Sequence, residues 1–314
     1  MICMLVKYQR QINDDVWSEA LIKIRLGEID GNVINLLKSR LMCTSQGAVT
    51  ELELQNDFQE ATRLFARNDD CDTYNNQKLE ELITNGNQHF YVEAEHTKTR
   101  PGALIAQSIS IAELYEIAKL NRKNQLDDRD CAGIPREINL CVGARVMLRK
   151  NIDIGDGLVN GSIGTIHTIS NIKHKLFSKM PAKIQIKFDN KDVGNLSVIN
   201  QNRKCKANKI TVGNETFILV DIEPTYGLFH ASDKTTLIHR YNVPITVCYG
   251  MTVHKVQGLT LDKVVIQLDE KMNHEGSAYV ALSRTRTLNN IILTKCELSS
   301  IKTNQESKQI TINE

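Results

Sequence analysis

Within the run Thr252-Val-His-Lys-Val-Gln-Gly258, the side chains of Thr252, His254, Lys255 and Gln257 offer a hydroxyl, an imidazole, an ammonium and an amide. These are the donors that hold phosphate oxygens, and contacts of that kind fix position without reading bases. Gly258 lets the chain turn where a side chain would clash. Further along, Ala278-Tyr-Val-Ala-Leu-Ser-Arg284 reads as the amphipathic start of a helix that ends in an arginine. A guanidinium is always charged and forks onto two oxygens, which suits a transferring phosphate. Each segment taken alone also has a plainer reading: a solvated turn for the first, a helix with one surface arginine for the second.

The flanking elements decide how these groups are presented. Pro244-Ile-Thr-Val-Cys-Tyr-Gly-Met-Thr-Val253 is β-branched and apolar and reads as one buried strand that delivers Thr252, His254, Lys255 and Gln257 to its end. Val264-Val-Ile-Gln-Leu268 is a second strand. Near the N-terminus, Asp14-Asp15 and Trp17-Ser-Glu-Ala-Leu-Ile-Lys-Ile-Arg-Leu-Gly27 predict a helix. Val16, Ala20 and Ile24 fall on one face of it, Asp14 or Asp15 caps it and Gly27 ends it.

In this order, with a strand between them, the two chemical segments resemble motifs V and VI of superfamily 1B DNA helicases. The wording is closest to the petite integration frequency (Pif-type) family, five-prime to three-prime DNA helicases of nucleus and mitochondrion. Tyr8-Gln-Arg-Gln11 and the helix after it resemble that family's Arg-Gln motif. Ala61-Thr-Arg-Leu-Phe-Ala-Arg-Asn68 and the polar helix Asp72 to Ile83, carrying Asn75, resemble its next strand and helix. Leu140-Cys-Val-Gly-Ala-Arg-Val-Met-Leu-Arg-Lys-Asn151 and Gly157-Leu-Val-Asn-Gly-Ser-Ile-Gly-Thr-Ile166 are similar to its small inserted barrel. Just before motif V the sequence departs from the family: Val247-Cys-Tyr-Gly250 stands where a small apolar and tryptophan run is usual, which bears on the aromatic packing beneath the motif.

The resemblance implies roles. Arg284 is the arginine finger reaching the γ-phosphate across a cleft between two motor domains, and Arg10 is a second sensor of that phosphate. Gln11 helps to position the cleft, with Gly258 at its edge, while Tyr279 and Ser283 shape the helix that carries Arg284. Thr252, His254, Lys255 and Gln257 link single-stranded DNA to the cleft. The implied cofactors are ATP and Mg2+, and the implied setting is DNA repair, recombination and telomere maintenance in the nucleus or, alternatively, the mitochondrion. Arg286 reads as a surface charge.

Composition limits these readings. A chain of 314 residues with 41% apolar content can bury a substantial core and ordinarily holds about two domains. A formal charge of +2 is too small to be an electrostatic footprint, so any nucleic-acid site must come from local clustering. The eight cysteines occur singly, with no zinc spacing and no disulfide framework, and no metal site is expected on the chain. That usage fits a reducing compartment. Met1-Ile-Cys-Met-Leu-Val6 is too short for a signal peptide or a membrane span and reads as the tail of a buried strand, so the chain is expected to begin inside a larger fold.

The middle of the chain changes grammar. Leu140, Val142, Ala144, Val146 and Leu148 share one side of a strand by the period-two rule, Asn160-Gly161 makes a tight turn, and Ile163 to Ile169 alternates again. Ile184, Ile186 and Phe188 form another strand, and Gly213-Asn214 closes a hairpin between Lys209 to Val212 and Thr216 to Val220. Short strands with tight turns predict a small β-barrel. Arg145, Arg149 and Lys150 on it fit either a solvated strand edge or a contact with a nucleic-acid backbone. The expected fold class is α/β: a second RecA-like domain of the P-loop-NTPase helicase type, residues 1–130 and 244–300, with the barrel at 131–243 inserted and a polar tail at 301–314.

A motor of this type needs Gly-x-x-x-x-Gly-Lys-[Ser/Thr] to cradle phosphates and an acidic pair to hold magnesium. None of the 17 glycines stands in such a loop, and Leu37-Lys38-Ser39 lacks both glycines. The resemblance puts those parts, magnesium ligands included, on a first motor domain, so this chain is expected to be the C-terminal half of an ATP-dependent helicase, inactive alone. Its expected partners are single-stranded DNA and a phosphate-loop domain, with no membrane. The alternatives are a single-stranded nucleic-acid-binding regulator without ATP turnover, or an inactive remnant of a mobile element.

Overall fold

A computed structural model describes residues 10–11, 14–42, 56–99, 107–117, 128–170 and 180–303, with the backbone alone at 129. Tyr8, Gln9, the Met1–Val6 segment and the tail beyond 303 lie outside the described residues. The chain divides into two compact units, residues 1–76 with 249–314 and residues 77–248.

The first unit opens with α1 (Asp15–Leu26) and α2 (Gly31–Ser39), then β1 (Thr62–Phe65) and the start of α3 (Asn68–Thr84). Asp14 caps α1 by accepting from the Trp17 backbone N–H at 3.1 Å, and Gly27, at φ 74°, ends it in the left-handed conformation. The buried face is Trp17, Ala20, Leu21 and Ile24. Val16, expected on that face, is instead 64% exposed, because the Trp17 ring turns the apolar stripe by one position.

In the second unit come β2 (His89–Glu93), β3 (Glu95–Thr99), β4 (Gln107–Ile109), α4 (Ile111–Ile117), β5 (Glu137–Cys141), β6 (Arg145–Leu148), β7 (Ile163–Ile169) and β8 (Ile184–Phe188). It continues through α5 (Asn195–Ile199), β9 (Ala207–Val212), β10 (Glu215–Ile222), β11 (Thr225–His230), β12 (Leu237–Asn242) and β13 (Ile245–Val247). The strand expected over 140–148 is two. Gly143, at φ 87°, turns the chain between β5, which pairs with β2, and β6, which pairs with β7 and β13. The apolar residues still face inward, since Leu140, Ala144, Val146 and Leu148 are all buried. Where a barrel was expected, the described strands pair as antiparallel sheets: six in the order β13-β6-β7-β8-β10-β9, four in the order β11-β12-β3-β4, and the β2-β5 pair. Asn160-Gly161 and Gly213-Asn214 are the expected tight turns.

The chain returns to the first unit with β14 (Gly250–Thr252), β15 (Val264–Leu268), α6 (Ser277–Leu282) and β16 (Ile291–Cys296). These strands make a fully parallel sheet with β1, in the order β14-β1-β15-β16. Val264, Val265 and Ile266 form the unbroken apolar run that a strand covered on both faces requires. The single strand expected over Pro244–Val253 is likewise two, β13 in an antiparallel sheet and β14 in the parallel one, with the division of the units between Cys248 and Tyr249.

Candidate nucleotide and nucleic-acid site

β14 delivers Thr252, which is 3% exposed, to the end of the parallel sheet. A turn follows, begun by the Val253 N–H donating to the Phe65 carbonyl at 3.0 Å and the Lys255 N–H donating to the Thr252 carbonyl at 2.9 Å. Val256 is completely buried and pins the turn, so His254, Lys255 and Gln257 stand exposed around it. Gly258, at φ 87°, turns through open space. The His254 ring lies 5.9 Å from that of His274.

β14 is an edge strand, and its outer backbone groups find a side chain instead of another strand. The Asn75 amide oxygen accepts from the Gly250 N–H at 2.7 Å, and its amide nitrogen donates to the Gly250 carbonyl at 3.0 Å. The Cys71 thiol donates to the same carbonyl at 3.0 Å, and burial pushes its pKa up to about 11, which keeps that proton in place. A Cβ at residue 250 would meet the Phe65 ring at 2.6 Å. Phe65 and Tyr74, 5.5 Å apart, therefore supply aromatic packing where the sequence departs from the family, and the Arg63 guanidinium lies 4.8 Å from the Tyr74 ring centre. Asn75 was named in the sequence only as part of a helix; its pairing with Gly250, 175 positions away, leaves no periodic trace.

α6 is shorter than expected and stops at Leu282, with Ser283 as its C-cap and Arg284 beyond it. Arg284 is 7% exposed, and its guanidinium is turned onto its own surroundings. It donates to the carbonyls of Val280 at 2.7 Å, Val256 at 3.2 Å and Leu259 at 3.3 Å, and to the Ser283 hydroxyl at 2.6 Å. Arg10 reaches the same place, donating to the Ser283 carbonyl at 2.8 Å and the Thr260 hydroxyl at 2.9 Å. Gln11, 2% exposed, donates to the carbonyls of Thr285 at 2.7 Å and Ser283 at 3.3 Å. The residues at 10–11, the motif V turn and the end of α6 are thus one hydrogen-bonded knot. Asp14 tightens it, since its second carboxylate oxygen accepts from the Leu288 N–H at 3.0 Å.

The electrostatics of this knot are unbalanced. Burial lowers the pKa of Arg284 to about 10, with the neighbouring charge of Arg10 the next cause, and burial also lowers that of Arg10; Tyr279 opposes both shifts. Among the described residues no carboxylate pairs with either arginine. Two partly desolvated guanidinium groups without an acid form a place where an anion is favoured. Arg286 is exposed. Of the cations named on the antiparallel sheets, Arg145 forks onto Asp189 at 2.6 and 2.5 Å, while Lys150 spends one of its three N–H donors on the Tyr226 carbonyl at 2.7 Å. Among the described residues no group of three or more His, Cys, Asp or Glu side chains is placed to hold a metal ion, and no helix is long and apolar enough to cross a membrane.

Residues 126–169 match the family model described as DNA helicase Pif1, 2B domain, and residues 166–293 match the viral superfamily 1 RNA helicase core domain. Uncharacterized protein 030L of Invertebrate iridescent virus 6 is 28% identical over 98% of this chain and 59% of its own length. The ATP-dependent DNA helicase PIF1 of Xenopus laevis is 27% identical over 83% of this chain and 33% of its length. The crystal structure of Pif1 helicase from Candida albicans superposes with a TM-score of 0.60 at 20% identity, covering 98% of this chain and 59% of that one. Pif1 from Bacteroides in complex with ADP-AlF3 and ssDNA gives a TM-score of 0.55 at 20% identity, with 99% and 56% covered. The chain spans less than two thirds of the length of these relatives. Its parallel sheet, antiparallel sheets and matched segments define a superfamily 1 helicase type of chain. Within that class it is similar to Pif1-type DNA helicases of superfamily 1B.

Proposed function

We propose that this chain supplies the second, RecA-like half of an ATP-dependent five-prime to three-prime DNA helicase, with the domain inserted into it built from antiparallel sheets. The observation that carries the reading is the convergence of Arg10 and Arg284 on Ser283 with no carboxylate partner among the described residues, tied through Gln11 and Val256 to the exposed Lys255 turn. Such an arrangement suits a triphosphate presented by a phosphate-loop domain, which would also bring the magnesium ligands. Arg10 and Arg284 would neutralise charge developing on the γ-phosphate, while Thr252, His254, Lys255 and Gln257 would hold the backbone of single-stranded DNA. Because Arg284 already donates to the Val256 carbonyl inside the motif V turn, a shift of its guanidinium toward phosphate changes the turn directly. Coupling of hydrolysis to strand movement would run through that contact.

Pure 1–314 is expected to release no phosphate from ATP with or without single-stranded DNA. Addition of a phosphate-loop domain of the same family should restore DNA-stimulated release, and Arg284→Ala should then lower turnover by about three to five orders of magnitude. Turnover by the pure chain would overturn the half-motor reading. The same retraction of Arg284 onto carbonyls favours a second reading, a single-stranded nucleic-acid-binding regulator without turnover. Failure of every phosphate-loop domain to restore hydrolysis, with DNA binding intact, would select it.

A further inference from the structure

The β11–β12 hairpin has two unlike faces. One is core: Phe229, Ile238 and Arg240 are buried, and a Cβ on Gly227 would lie 1.9 Å from the Cys131 carbonyl oxygen packed above it. The other is set by the cross-strand pairs Tyr226 with Tyr241 and Leu228 with His239. Its rings form one cluster, with centres 5.5 Å apart for Tyr226 and His239, 5.4 Å for Tyr226 and Tyr241, and 6.1 Å for the near-parallel His239 and Tyr241. Tyr226 and Leu228 are each 43% exposed.

Cross-strand aromatic pairs stabilise a sheet by themselves. They do not account for the charge beside them. The Lys150 ammonium sits 5.3 Å from the Tyr226 ring centre, and Lys204 is near enough to disfavour its charged form, after burial as the larger cause. Neither lysine forms an ion pair with a carboxylate among the described residues; the acid within electrostatic reach of Lys204, Asp153, is bridged to Arg203 at 2.6 Å. Among the described residues of β3, β4, β11 and β12, Glu95 is the one acid that the pairing puts on this face, opposite Tyr241 and two strands from Tyr226. The like charges of Lys150, beside the exposed ring, and Lys204 repel one another, and an anion relieves that repulsion.

We propose that this face is a stacking platform for single-stranded DNA: an unpaired base lies against Tyr226 and Leu228, and its neighbouring phosphates meet Lys150 and Lys204. Aromatic rings beside a cationic track are the general means of holding single strands without reading sequence. The proposal rests on the DNA-binding part of the reading above and is independent of the Arg10 and Arg284 knot.

The test is the anisotropy of labelled oligothymidylate, and of an abasic strand of equal length, titrated with full-length chain. Tyr226→Ala should weaken oligothymidylate binding about 5- to 150-fold and leave the abasic strand unaffected, while Tyr226→Phe keeps the parental affinity. An iodouracil-substituted strand should cross-link on irradiation to the peptide holding Tyr226. Parental affinity of a folded Tyr226→Ala, or an equal loss on both strands, would overturn the platform. If Lys255→Ala weakens binding and Tyr226→Ala does not, the platform fails and the motif V reading stands; if the parent binds neither strand, both fail. A larger Tyr226-dependent affinity for oligouridylate would overturn the choice of DNA.

Discussion

Lys255 and His254 sit side by side on the same exposed turn, and their chemistry separates two kinds of phosphate contact. An ammonium that meets a phosphate releases a counterion, whereas a neutral imidazole donates a hydrogen bond and displaces none. Lys255→Ala should weaken binding to single strands of any sequence about equally and flatten the slope of log affinity against log salt by about 0.7. His254→Ala should weaken binding with a smaller change in slope. Titrations of labelled strands at several salt concentrations give both quantities, and unchanged affinity in both variants would reduce the segment to a turn. Arg284 shows what one residue can hide. Its place after a short apolar helix was legible, but its present partners are backbone carbonyls brought in by folding, which no residue pattern encodes.

At the level of elements, legibility followed the range of the interactions. α1, β7, β8, β15 and the Gly213-Asn214 hairpin are specified by neighbours in sequence, and the patterns located them. β5 with β6 read as one strand because the period-two alternation runs on through Gly143, and β13 with β14 because the whole run is apolar and β-branched. What breaks them is partner exchange: β13 pairs with β6 and β14 with β1. The edge of β14 is held from a distance by Asn75. Removing that amide would leave the Gly250 N–H buried and unsatisfied, at a cost of about 1–3 kcal/mol. Asn75→Ala should therefore lower the free energy of unfolding by that amount and slacken the turn that follows Thr252, weakening single-strand binding although residue 75 is itself buried. Asn75→Asp keeps the acceptor for the Gly250 N–H but turns a carboxylate toward the Gly250 carbonyl, so it should be destabilised as well. A fully stable Asn75→Ala would show that the edge needs no cap.

For the molecule as a whole, residues 77–248 form one continuous stretch with their own apolar clusters, one around Leu140, Ile166 and Ile186 and another around Phe229 and Ile238. Expressed alone, that stretch should unfold cooperatively, and its acid stability should be governed by His96. This side chain is 4% exposed and accepts at Nε2 from the Arg240 Nε–H at 3.2 Å, a bond that only the neutral ring can make. Burial, followed by the charges of Arg240 and Arg136, pushes its pKa down to about 4 from the ordinary 6.5. The unfolded chain thus binds the proton first. Stability is complete above about pH 7 and falls as pH drops from 6.5 toward 4, by up to about 3 kcal/mol from this group. His239, whose pKa burial also lowers, adds to the fall in the same direction. Carboxylates whose pKa hydrogen bonding lowers, such as Glu137 beside the Tyr91 hydroxyl and then Arg136, lose their contribution mainly below that window. His96→Gln offers Arg240 an amide oxygen and cannot titrate, so unfolding free energies measured between pH 7 and 4.5 should slope less steeply than in the parent. An identical slope in both would mean that the ring is protonated in the folded protein and that the bond from Arg240 does not form.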